Sequence, residues 1–315
     1  MGVSFIFVIS ANGESSSFCE MTSTFDADAQ RQSFIPIRML TTRREFLAHL
    51  AAAAAVTSFA RDRTHLTRIG LELYSVRKAM RADPERTLAA VRAAGYTDVE
   101  LLWSFKNFGR TTQQVRASLD REGLKAPSAH MAPETILTDW DRSLDTAKQL
   151  GHTYLIVPSL TADTAASLDA WRLWADRFNT AGAVARRAGI WLAFHNEPNH
   201  MTPINGQVPY DLFVERLDPA VVRLQLDVGN MVMGGGDPAQ YLARYRDRYW
   251  SFHVKDVVAD HSRDTELGTG TIQLASFLKS VPDIHNKPCY VEQEGPVDEL
   301  ASARRNCTYL KTLAF

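Results

Sequence analysis

The chain is short of cysteine, of charge of either sign in excess, and of long apolar runs. Its three cysteines, Cys19, Cys289 and Cys307, form no CxxC pair and no disulfide framework. Thirty-five Lys and Arg stand against 36 Asp and Glu, a net charge of −1. That balance excludes an electrostatic nucleic-acid binder, which needs a clear basic excess. No stretch reaches the about 20 strongly apolar residues of a stable membrane span. A glycine-rich phosphate turn is absent after the first apolar run, where Leu73-Tyr74-Ser75-Val76-Arg77 stands instead. Gly234-Gly235-Gly236 precedes Asp237-Pro238 and reads as a loop. Ordinary numbers of Gly (17) and Pro (13) exclude collagen-like and wholly disordered readings. What remains is a folded enzyme or small-molecule binder of 315 residues, long enough for two average domains or one α/β barrel.

The first sixty residues stand outside that fold. Residues 1–38 carry one short apolar run, Val3 to Ile9, and no sustained period. We read them as a disordered or mis-annotated extension, with Met39 the expected start. Thr42-Arg43-Arg44-Glu45-Phe46-Leu47, an alanine run from Ala48, and Ser58-Phe59-Ala60 then give a paired arginine, a modest apolar core and a small-x-small site. This stretch, 39–60, resembles a twin-arginine (Tat) signal peptide. The resemblance implies the Tat export machinery as a partner and a periplasmic or otherwise exported location.

From Thr67 short apolar runs alternate with longer amphipathic stretches, the mark of repeated βα units. Expected strands are Arg68–Ser75, Asp98–Leu102, Lys125–His130, Thr153–Pro158, Ile190–His195, Val222–Val228, Trp250–Val254 and Pro288–Glu292. Asp83-Pro84 and Asp237-Pro238 open helices, while Gly95, Gly123, Gly151 and Gly189 stop them. Eight units in residues 61–315 predict an α/β fold, a single-domain (β/α)8 TIM barrel.

In such a barrel the active site gathers at the C-terminal strand ends. Alternation of side chains puts Arg223, Gln225 and Asp227 on the inner face of the sixth strand. On the seventh it puts Ser251, His253 and Lys255 inside and Phe252 and Val254 outside. Tyr290, Glu292 and Glu294 face in on the eighth; Trp191, Ala193, His195 and Glu197 share a face of the fifth. Four consecutive strands thus end in His195, Asp227, His253 and Glu292. Two imidazoles and two carboxylates suit a borderline divalent metal, Mn, Zn, Co or Fe, better than Ca. Burying four ionisable groups without a partner would cost several kcal/mol each, about what a metal removes.

Several short motifs resemble one family, the xylose-isomerase-like TIM barrels known as sugar phosphate isomerases/epimerases, relatives of D-tagatose and D-psicose 3-epimerases and inosose dehydratase. They are Gly70-Leu71-Glu72-Leu73-Tyr74-Ser75-Val76-Arg77, Gly95-Tyr96-Thr97-Asp98-Val99-Glu100, Ser128-Ala129-His130, Phe194-His195-Asn196-Glu197, Leu226-Asp227-Val228-Gly229, His253-Val254-Lys255-Asp256, Leu267-Gly268-Thr269-Gly270 and Tyr290-Val291-Glu292-Gln293. The resemblance implies a metal held by Glu, Asp, His and Glu from strands five to eight. Asp227, His253 and Glu292 match the last three. The fifth-strand position is His195, so either His195 or Glu197 is the ligand there. The displaced glutamate puts a two-base epimerisation in doubt.

Such a metal centre leads through one enediolate to epimerisation, isomerisation or β-elimination. Glu292 is the first choice of base or acid, with Glu197 its counterpart and His130 and Lys255 as groups that bind or protonate hydroxyls. A structural ion pair of Lys255 with Asp256 or Glu294 weighs equally. Glu72, Glu100, Trp103 and Asp256 are candidate substrate contacts, the substrate being a keto-sugar or oxidised glycoside. Trp103, Phe105 and Phe108 suit stacking on sugar rings or a local apolar cluster. Two other readings stand beside the enzyme: an exported sugar-binding barrel without catalysis, and an endonuclease-IV-like phosphodiesterase, which would need a basic groove.

Overall fold

The computed structural model describes residues 65–160 and 167–315, together with three short strands nearer the N-terminus. Residues 1–63 form one compact unit and 64–315 another. In the first, Val3–Ile9, Ser17–Ser23 and Met39–Leu40 make an antiparallel three-stranded sheet in that order. The sequence pattern suggests no strand pairing there. The arginine pair, the alanine run and Ala60 of the signal reading lie outside the described residues.

In the second unit eight parallel strands close into a barrel. They are β1 (Gly70–Glu72), β2 (Asp98–Leu102), β3 (Lys125–His130), β4 (Tyr154–Val157), β5 (Trp191–His195), β6 (Val222–Asp227), β7 (Tyr249–Val254) and β8 (Cys289–Val291). Each hydrogen-bonds to its sequence neighbours, and β8 returns to β1. One main helix follows each strand: α1 (Pro84–Ala94), α2 (Thr112–Glu122), α3 (Trp140–Leu150), α4 (Leu168–Arg187), α5 (Pro209–Arg216), α6 (Pro238–Arg244), α7 (Leu274–Ser280) and α8 (Glu299–Thr312).

Local chemistry sets these boundaries. Asp83 accepts the Arg86 N–H at 3.0 Å while Pro84 occupies the first turn of α1. Thr111 and Gln114 close a capping box at the start of α2. Gly95 and Gly123 end α1 and α2 with φ of 106° and 64°, a conformation that costs a residue with a Cβ roughly 1–2 kcal/mol. In α4, Trp171, Ala175, Phe178 and Gly182 recur at helical spacing and turn inward. There Phe178 packs edge-on to Phe194 of β5 and Phe213 of α5, at 5.8 and 5.2 Å between ring centroids. This outer layer between strands and helices holds most of the apolar core.

Inside the barrel a second, smaller cluster plugs the N-terminal end. Tyr154, Ile156 and Ala193 meet there, flanked by Trp191 and Trp250 with ring centroids 5.6 Å apart. The Arg186 guanidinium lies 3.6 Å from the Trp191 centroid, and that of Arg223 lies 4.1 Å from Trp191 and 4.7 Å from Trp250. Strict alternation assigns Trp250 to the outer face with Phe252. A bulge between Tyr249 and Ser251, where two steps of β7 meet one of β6, turns it inward instead.

Candidate metal centre and active site

Above the plug the same strands become polar. His195 is the last residue of β5 and Asp227 the last of β6. His253 lies one before the end of β7, and Glu292 directly follows β8. All four are buried, and each offers a ligand atom within 4.8 Å of the other three. The grouping follows from barrel geometry, since the C-terminal ends of consecutive strands open onto one mouth where their inward side chains gather.

Asp227 has two separate tasks. Its Oδ1 accepts the Asn230 N–H at 2.7 Å and caps the short helix Val228–Met233. Its backbone is bracketed by Asn196, whose amide donates to the Asp227 carbonyl at 2.9 Å and accepts the Asp227 N–H at 2.8 Å. Oδ2 is left without a hydrogen bond, as are both ring nitrogens of His195. The nearer of these, Nε2, lies 3.6 Å from Oδ2. Burial pushes the His195 imidazole down to about 4, so the ring is neutral and both a lone pair and an N–H lack partners.

His253 is held from both sides, with Nδ1 2.8 Å from Glu292 Oε2 and Nε2 2.6 Å from Glu100 Oε1. Against the effect of burial, the carboxylates of Glu100 and Glu292 raise its pKa to about 10. Glu100 is fully buried and organises its surroundings. It also accepts from Gln225 Nε2 at 3.0 Å and from the Ser128 hydroxyl, and it lies 3.0 Å from His130 Nε2. His130 and His253 hold its carboxyl well below the usual range, against burial. The expectation that Glu100 touches substrate is therefore corrected: its oxygens are taken up in aligning two imidazoles.

His130 spans Glu72 through Nδ1 at 3.0 Å and Gln225 through Nε2 at 2.9 Å. Burial and then Glu292 push the Glu72 carboxyl up to about 8, while its Oε2 faces His253 Nδ1 at 4.0 Å with no hydrogen bond. Lys255 is wholly buried and donates to Asn230 Oδ1 at 2.9 Å and Glu294 Oε1 at 2.8 Å, with Asp227 Oδ2 and Glu292 Oε2 each at 3.1 Å. Its partner is thus Glu294 rather than Asp256. Glu197 keeps 29% of its side chain exposed, 4.0 Å from His195 Nδ1, and its Oε2 accepts from Asn230. Burial pushes its pKa up to about 8, against the pull of Lys255.

Two expected substrate contacts lie elsewhere. Asp256 turns away from the mouth: Oδ2 accepts the N–H of Gly268 and Gly270 at 3.0 Å, and Oδ1 those of Val257 at 2.9 Å and Ile272 at 3.0 Å. A Cβ at Gly270 would collide with that carboxylate, so the Gly268-Thr269-Gly270 run serves the loop. Trp103 packs against His152, ring centroids 5.5 Å apart, with its indole N–H buried and unbonded. Phe105 joins Tyr74 and Phe108 in an aromatic row, each contact 5.8 Å, with Arg77 over Tyr74 and Arg81 over Phe105. Alternation puts Gln225 and Tyr290 on the inner face without a role, and Ser128 enters only through its motif. The structure joins them through Glu100, which accepts from Gln225 and Ser128, with the Tyr290 hydroxyl 2.7 Å from Ser128 Oγ. Asn230 was missed, and its distance of three residues from Asp227 is the capping signal that would have found it.

Sequence and fold comparisons place the barrel among known proteins. The chain is 32% identical over 114 residues to inosose dehydratase of Salmonella typhimurium, 36% of this chain and 35% of that one. It thus spans about a third of that relative's length. A sugar phosphate isomerase/epimerase from Parabacteroides distasonis superposes with a TM-score of 0.67 at 24% identity, over 80% of this chain and 95% of the other. The IOLI protein, solved with a bound zinc atom, gives 0.63 at 14%, over 79% and 99%. These structures share the fold. Residues 88–313 match the xylose isomerase-like TIM barrel family model, and the chain belongs to that family.

Proposed function

We propose that the barrel is a divalent-metal-dependent enzyme that isomerises, epimerises or dehydrates a keto-sugar or an oxidised glycoside. One observation carries the reading: His195, Asp227, His253 and Glu292 converge within 4.8 Å while three of their polar atoms, His195 Nδ1 and Nε2 and Asp227 Oδ2, have no hydrogen bond. Mixed nitrogen and oxygen donors fit Mn, Zn, Co or Fe. The names of the relatives, an inosose dehydratase and a sugar phosphate isomerase/epimerase, support the same reaction class.

A dication held by His195, Asp227, His253 and Glu292 would supply polarisation of a carbonyl oxygen and stabilise negative charge developing there. The chain supplies the proton chemistry. Lys255 and His253 hold Glu292 well below the usual carboxylate range despite burial, so it is ionised and suited to take the proton α to the carbonyl. Glu197, raised to about 8, keeps its proton at neutral pH and stands at the more open edge, suited to return one to carbon or to a leaving hydroxyl. His195 is the fifth-strand ligand on this reading, because its ring is buried beside Asp227 while Glu197 points to the rim. Glu100 and Gln225 orient His130 and His253. The aromatic row of Tyr74, Phe105 and Phe108 flanks the mouth on the β1–β2 side.

Incubation of the zinc- or manganese-loaded protein with ketoses and keto-inositols in deuterated water tests this. Deuterium at the carbon next to the carbonyl, or loss of water, is expected. A protein that takes up no stoichiometric metal, or whose Glu292→Gln variant turns over unchanged, sinks the proposal. The exported location rests on the Arg43-Arg44 and Ala60 signals of the sequence. Periplasmic fractionation with N-terminal sequencing checks it.

A further inference from the structure

We infer that Lys255 is a fixed internal cation that holds down the affinity of the barrel mouth for a divalent metal, so that a lysine as well as the ligands sets metal occupancy. This rests on the metal reading above. The ammonium spends its hydrogen bonds on Asn230 Oδ1 and Glu294 Oε1, at 2.9 and 2.8 Å. It stands 3.1 Å from both Asp227 Oδ2 and Glu292 Oε2 without forming a hydrogen bond to either. Asp227 Oδ2 therefore keeps its lone pairs free of hydrogen bonds, and Glu292 Oε2 pairs with His253 Nδ1 at 2.8 Å, while a positive charge lies beside both.

Nor can the charge withdraw. Lys255 is wholly buried, and its stem runs over Gly229, where any Cβ would come within 2.5 Å of Lys255 Cγ and 2.7 Å of Cδ. Glycine at that position lets the lysine lie down against the Val228–Met233 helix, and Asn230 one residue on receives its head. Around the ammonium stand Asp227 from β6, Glu292 and Glu294 after β8, with His253 two residues before it on β7. A dication bound between Asp227 and Glu292 repels this charge through a buried region where screening is weak. The same ammonium neutralises those carboxylates whenever the metal is away, which lets the site stay folded in both states.

Competition titration of zinc against a chromophoric chelator, on the full chain, reads the effect directly. Lys255→Met keeps the stem and removes the charge. Lys255→Gln drops the charge but keeps a donor for Asn230 and Glu294. Both are expected to bind zinc at least tenfold more tightly than wild type, and zinc is expected to raise their melting temperature by more. Wild type binding zinc while both variants bind it equally or more weakly overturns the inference and leaves the metal reading standing. Zinc binding to none of the three overturns both.

Discussion

The two ends of the barrel interior are built by the same strands and have opposite chemistry. On β5 the inner face runs from Trp191 through Ala193 to His195, and on β6 from Arg223 through Gln225 to Asp227. At the N-terminal end the charges are arginines laid flat on indoles, next to Tyr154 and Ile156. A few residues further along the strands the interior holds imidazoles and carboxylates, four of whose polar atoms, on Glu72, His195 and Asp227, accept or donate nothing. In the plug a single buried polar atom, Arg223 Nε, lacks a hydrogen bond and its guanidinium lies over two indoles, whereas the mouth leaves several ligand-type atoms unpaired. That contrast locates function without reference to any relative, because buried groups left unpaired are expensive unless something else completes them.

Substitutions separate the ends most sharply. Asp227→Asn keeps the cap on Asn230 but removes a ligand charge. Turnover is expected to fall at least about a thousandfold, with folding stability within roughly 1 kcal/mol of wild type. Ile156→Ala in the plug should do the reverse, costing about 3 kcal/mol in a urea melt while leaving zinc affinity unchanged. If Asp227→Asn unfolds the barrel, or Ile156→Ala weakens zinc binding, the two ends are not the independent regions described.

Acid sharpens the contrast outside the mouth. Burial lowers His152 from 6.5 to about 4 and His200 to about 3. Both stay neutral in the folded chain when the unfolded chain protonates, so the unfolded state binds more protons below pH 6.5. Stability is therefore full above that pH and is lost as pH falls toward 4. Each histidine should account for about 2 kcal/mol between pH 7 and pH 5. Replacing His200 with Phe, and finding the same acid sensitivity in denaturant melts, would remove it from this account. A smaller effect is expected at the link between imidazoles. Glu100→Gln should weaken zinc binding by about tenfold through misaligned His253, readable by chelator competition.

Much of this was legible before any coordinates. The strands Asp98–Leu102 and Lys125–His130 match the pattern residue for residue, because Gly95 and Gly123 stop the helices just before them. Four inner-face residues at the ends of strands five to eight were enough to name the cluster. What periodicity could not supply was distance across the barrel. Glu100 on β2 reaches His253 on β7, a pairing of residues 153 apart in sequence, so its place behind the imidazoles is invisible to local reading. Trp250 defeated the alternation because a bulge changes parity within one strand. Asp256 follows the site histidine closely enough to look like a substrate contact, yet two of its partners in space are glycines 12 and 14 residues later.

That last carboxylate has a consequence for how the molecule moves. Four amide protons of an irregular surface segment, from Val257, Gly268, Gly270 and Ile272, end on one side chain. Loss of that one carboxylate would free all four at once, so its removal is expected to speed amide exchange across the whole segment, although no sheet ladder runs through most of it.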